Sequence, residues 1–197
     1  MFLANPSRVI ALLVSGLVVA CAEPPLNSEQ ILERYGSYGV ELVEQDAARR
    51  VTSLYSLKNG RRVCRSYALV LFEPPDPSLD EADRAIRAGG SIGASFAGRG
   101  WQVHKANVEM GAIAVDSGSL AALMSIDVPA VLALHVYSLS VERDGLHLPY
   151  ATIAEIHHPD YLSLSDLRRL YGRLPDAENA TAERARVRAE LREVLAD

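Results

Sequence analysis

The segment Glu155-Ile156-His157-His158-Pro159-Asp160 packs two imidazoles and two carboxylates into one short run, the side chains that ligate zinc and related ions or move protons. Whether they converge depends on the strands that carry them. Asp144-Gly145 is the strongest hairpin signal in the chain, and a two-residue turn there sets His135 opposite Ala154, Leu134 opposite Glu155 and Leu132 opposite His157. Opposed residues project to one side. Glu155 and His157 are therefore expected beside Leu132 and Leu134, and His135 on the other face with Tyr137, Tyr150 and His158. On that register His135 and His158 stand about 13 Å apart. No three ligands then meet within the hairpin, and a metal or catalytic site would need His104 or another strand. The plainer reading is a strand end of hydrogen-bonded Glu and His leading into a Pro-Asp turn. A slip of one residue would reverse the sidedness of all these side chains.

A second cluster begins at Gly89-Gly90-Ser91-Ile92-Gly93, which fits the G-x-S-x-G pattern of a hydrolase serine. That pattern requires a strand before the serine and a helix after it, whereas here a capped helix is expected before it and Gly98 and Gly100 follow. No Gly-Lys-Ser/Thr occurs, so the stretch is no P-loop, and no cofactor is expected. Its glycines predict a tight loop or bulged strand. As a candidate binding loop it offers Ser91, then Arg99, Trp101 and Lys105, an aromatic plane with cationic donors suited to an anionic or sugar-like ligand. Trp101 as a core anchor and Arg99 as a solvated charge are the alternatives.

These residues must be positioned by surrounding elements. Ser28 can cap a helix stopped by Gly36, and strand patterns follow from Tyr38 to Leu42, Val51 to Leu57 and Arg62 to Phe72, the last two joined by Lys58-Asn59-Gly60. Ser78 with Glu81 makes a capping box for a helix to about Ala88. Strand-like segments recur at Trp101 to Val108 and Ala112 to Val115. A short helix over Ser119 to Met124 leads to strands at Ala130 to Glu142 and Leu148 to His157. Ser165 can cap a helix to Tyr171, and a last helix is expected over residues 176–195. Strands joined by tight turns pair antiparallel, so the class is α+β: a mostly antiparallel, meandering sheet with helices packed on one face. The last helix carries Ala177, Ala180, Val187, Leu191 and Val194 in one stripe interrupted by Arg184; it would cover its own sheet or dock an envelope protein partner.

The amino-terminal residues carry a different message. Arg8 precedes an apolar stretch from Val9 to Val19, too short to span a bilayer, and Ala20 and Cys21 follow. This segment resembles the bacterial lipoprotein signal, in which an aliphatic residue three before a cysteine and a small residue just before it form the lipobox; Val18, Ala20 and Cys21 fill those places. The resemblance covers residues 1–21. It implies cleavage between Ala20 and Cys21, acylation of the Cys21 sulfur and of the new amino terminus, and, with Ala22-Glu23 rather than Asp next, sorting to the outer membrane on its periplasmic side. Residues 1–20 are then signal, 21–27 a tether of about 20 Å, and 28–197 one α+β domain.

The formal net charge is −5, which argues against nucleic acid and against nonspecific binding to anionic lipid. With Cys21 acylated, Cys64 has no partner for an intramolecular disulfide and reads as a small core residue on the face of Ser66, Ala68, Val70 and Phe72. The leading expectation is a lipid-anchored, noncatalytic binding or assembly module near the outer membrane. The alternative is a small periplasmic, metal-dependent hydrolase using Glu155, His157, His158 and Asp160.

Overall fold

The computed structural model describes residues 26–116 and 118–195. Val18, Ala20 and Cys21 lie outside the described residues. Among the described residues six strands form one antiparallel sheet: β1 (Gly39–Gln45), β2 (Arg49–Lys58), β3 (Arg61–Phe72), β4 (Gln102–Val115), β5 (Ala130–Arg143) and β6 (Leu146–His157), in the order β1-β2-β3-β6-β5-β4. Two three-stranded meanders are thus joined where β3 lies beside β6. The helices are α1 (Asn27–Tyr35), α2 (Asp80–Arg87), α3 (Ile92–Ala97), α4 (Ser119–Met124), α5 (Leu164–Tyr171) and α6 (Ala180–Val194). The α+β class and the meandering antiparallel sheet are as the sequence predicts.

The helices divide between both faces, which corrects the expectation of one. Central strands force this: β5 buries Leu132, Leu134 and Val136 on one side and Ala133, Tyr137 and Leu139 on the other, so each side needs cover. On one side α4 and α6 lay Leu120, Met124, Val187 and Leu191 against Leu69, Leu134 and Ile156. On the other, α2 and α3 bring Ile86 and Phe96 onto Val70, Tyr137 and Ile153. Next to them α1 and α5 pack Ile31 and Leu167 near Ala133 and Tyr161. Among the described residues no helix is long and apolar enough to cross a membrane.

Local chemistry shifts several helix starts from their predicted places. Ser163, not Ser165, caps α5, accepting from the Asp166 amide while Asp166 accepts from its own. Asp76 accepts from the Ser78 amide ahead of a single 3-10 turn, Pro77–Leu79, and α2 follows. The glycine-rich stretch is not all loop, since α3 forms within it. The last helix begins at Ala180 because the chain before it is pinned to β4: the Asn107 amide donates to Pro175 and the Ala177 amide donates to Asn107. Its apolar stripe lies on its own sheet through Val187 and Leu191, and Arg184, the interruption, donates to the Val108 carbonyl.

Bulges decide which way the side chains point. Asp144 and Gly145 both adopt positive φ, 54° and 77°, as a two-residue hairpin turn demands, and Arg143 pairs with Leu146. The expected register holds as far as Ser140 opposite Pro149. Leu139 then pairs with Ala151, leaving Tyr150 as an extra residue, and beyond it His135 faces Glu155 and Ala133 faces His157. His135, Tyr137, Glu155 and His157 therefore share one face. A matching irregularity at Arg65 moves Cys64 away from Ser66 and Ala68, into the core with Tyr67 and Leu69. Burial pushes its thiol up to about 11, consistent with an inert packing role.

Candidate functional site

A half-open cavity lies between the sheet and the roof formed by the start of α1 and the α2–α3 loop. Its volume open to water-sized molecules is about 100 Å³, room for a small ligand rather than a drug-sized one. Its floor carries Glu155 and Tyr137 from the central strands, Lys105 from β4 and Arg50 from β2; Tyr38 and Ser91 stand at the sides. Glu155 is almost wholly buried. Burial raises its carboxyl above the ordinary carboxylate range, while Lys105 and hydrogen bonds to Asn27 and Tyr137 hold it partway down. Lys105 Nζ lies 4.6 Å from the Tyr137 ring centroid, a cation over an aromatic face. Burial likewise pushes Tyr38 up to about 12.

Arg50 ties the cavity roof to the sheet. The residue is 3% exposed; its guanidinium donates to the carbonyls of Ile86 (2.8 Å) and Gly90 (3.0 Å), while its buried Nε has no hydrogen-bond partner in the described protein. Gly90 is required at this point: an added Cβ would stand 2.7 Å from the Ala85 carbonyl oxygen. Gly90→Ala is expected to cost about 1–2 kcal/mol through forced backbone movement, read as a lower urea midpoint at unchanged slope.

The six-residue cluster does not converge on a metal. Glu155 faces the cavity, and His157 is fully buried with Nδ1 2.8 Å from Ser66 Oγ and its ring edge-on to Tyr161. His158 accepts from the Asp160 amide through Nδ1 and is buried, while Asp160 is exposed. Beside His157 lies a histidine absent from the predicted set: His135 has Nε2 3.0 Å from Asn107 Oδ1 and stacks on Tyr171. Burial depresses both His135 and His157 to about 3. They are neutral core imidazoles. Of the predicted loop residues, Ser91 and Lys105 line the cavity. Trp101 is a buried anchor under the Arg143 guanidinium, and Arg99 donates to the Ser95 carbonyl, so neither contributes to the cavity.

His104 belongs to another group. With Glu142 and His147 it forms a triad whose candidate ligand atoms all lie within 4.8 Å of one another. Glu142 Oε2 is 3.4 Å from His104 Nε2 and 3.8 Å from His147 Nδ1, and the two rings stack at 5.7 Å. Sequence reasoning missed Glu142 and His147, although the hairpin register itself pairs them across the turn.

No family model matches the chain, and no curated protein matches it in sequence. Among solved structures it is similar to the C-terminal domain of Yurk from Bacillus subtilis subsp. subtilis str. 168, at 12% identity and TM-score 0.36, over 69% of this chain and 85% of that one. It is also similar to a candidate transcriptional regulator from Streptomyces coelicolor, at 18% identity and TM-score 0.36, over 71% of this chain and 82% of that one.

Proposed function

We propose that the protein is a periplasm-facing lipoprotein, anchored through Cys21, whose domain binds a small organic anion in the cavity above Glu155. The observation that carries the ligand reading is the convergence of Lys105, the unpartnered Arg50 Nε and the buried Glu155 on a cavity with tyrosine walls. Lys105 and the Arg50 Nε offer cationic donors to an incoming carboxylate, while the tyrosine faces take an apolar body. The anchor rests on the resemblance of Val18, Ala20 and Cys21 to the lipobox of bacterial lipoproteins.

Binding of benzoate and related monocarboxylates, followed by calorimetry and by the rise in melting temperature, tests the ligand reading. At least one member is expected to bind. Lys105→Met should weaken it tenfold or more, the loss of about 1.5–3 kcal/mol that accompanies a hydrogen bond to a charged group. Binding by no member, or equal binding by the variant, would reject it. For the anchor, incorporation of labelled palmitate should disappear in Cys21→Ser; an unlabelled native protein would remove the membrane from the account.

A second reading is a small metal-dependent hydrolase. It is favoured by the His104–Glu142–His147 triad, which offers a mixed His and carboxylate set, rather than by the Glu155–Asp160 region first suggested for it.

A further inference from the structure

We propose that His104, Glu142 and His147 form a binding site for one borderline-soft divalent metal ion, with Zn²⁺ as its representative, on the sheet face opposite the cavity. The site is assembled by three adjacent strands. Gln102 on β4 pairs with Glu142 on β5, which pairs with His147 on β6, and His104 lies two residues along β4 from Gln102. Two-residue alternation puts all three side chains on one side. Two of the three separations require little adjustment, since four-coordinate zinc with bonds of about 2.0–2.2 Å sets neighbouring ligand atoms roughly 3.3–3.6 Å apart, and the two imidazole nitrogens lie within 4.8 Å of each other. The carboxylate already stands 3.4 Å and 3.8 Å from the two imidazole nitrogens.

Two imidazoles and one carboxylate match the donor preference of zinc-type ions over magnesium or calcium, which take mostly oxygen. The scaffold is rigid on two sides, since the tight Asp144-Gly145 turn fixes Glu142 against His147. The side chains are 36%, 43% and 56% exposed, so an ion can reach them without opening the core. Three protein ligands leave a fourth position open toward solvent, the arrangement of sites that bind an exchangeable water or substrate group.

This inference concerns the ion alone and stands whether or not the domain hydrolyses anything. Zn²⁺ titration of metal-free mature protein against a chromogenic chelator should give one equivalent bound at micromolar affinity or better. His104→Ala and His147→Ala should each weaken binding at least tenfold with unchanged circular dichroism, while His158→Ala binds as the native protein does. Co²⁺ bound in the same site should show the intense visible bands of low coordination, lost in His147→Ala. Absence of stoichiometric binding, or full binding by both triad variants, would overturn the site. Stoichiometric zinc without ester hydrolysis would keep the site and remove only the hydrolase reading.

Discussion

Lowering the pH from 7 to 5 is expected to remove about 4 kcal/mol of folding stability from the Glu155→Gln protein, and less than that from the native one. The cause is the buried pair His135 and His157, both held near 3 by desolvation. An unfolded histidine titrates at about 6.5. Between those values the unfolded chain binds protons that the native state refuses, so stability rises with pH. It is complete above the unfolded value and is lost as pH falls toward the folded one. Two such groups over about 1.5 pH units, at about 1.4 kcal/mol per unit and proton, give the figure for the variant. Glu155 works in the opposite direction: its raised carboxyl keeps a proton in the native state that the unfolded chain releases, which is why its removal sharpens the effect. Urea unfolding at the two pH values measures it, and His157→Gln in the Glu155→Gln background should roughly halve the difference. A midpoint that does not move between pH 7 and 5 would show that the imidazoles accept protons in the folded protein.

The second large effect belongs to the core between the sheet and α6. Leu134 is fully buried on the central strand β5, packed in the cluster that contains Leu69, Ile156 and Leu191. Leu134→Ala removes its methyl groups from a site closed on all sides and should cost about 3 kcal/mol, within the 2–5 typical of such truncations. Val131, three residues away on the same strand, is 72% exposed. Val131→Ala should change stability by less than about 0.5 kcal/mol. Paired urea curves test both, and equal losses at the two positions would contradict the burial that separates them.

Much of the fold is legible in local chemistry. Asp144-Gly145 marks a hairpin because both residues tolerate positive φ, and Ser119 to Met124 and the long β5 run stand out by periodicity. What is not legible is the point at which a strand takes up an extra residue. Tyr150 looks like any alternating strand residue, yet as a bulge it turns Glu155 and His157 onto the face of His135 and Tyr137. The two-sided arrangement of helices is similarly hidden, because runs such as Tyr67 to Phe72 fit either a buried strand or a helix core. Ser91 and Lys105 could be nominated for the cavity since both sit near conspicuous glycines and aromatics. Arg50 and Tyr137 could not: one is a charge beside another charge at a strand start, the other a tyrosine inside an apolar run. Only long-range packing brings them together. Glu142 and His147 were within reach, because they flank the turn whose register the sequence already defines.

The seam between β3 and β6 has a consequence for how the chain comes into being. Neighbours within each meander are close in sequence, but Ser66 pairs with His157 across 91 positions. Contacts of such separation slow the search for the native state. Because β6 occupies the middle of the sheet yet is the last of the described strands in the chain, the two halves of the sheet cannot join until residue 157 has left the ribosome, and an amino-terminal fragment that ends earlier lacks the strand on which both halves converge.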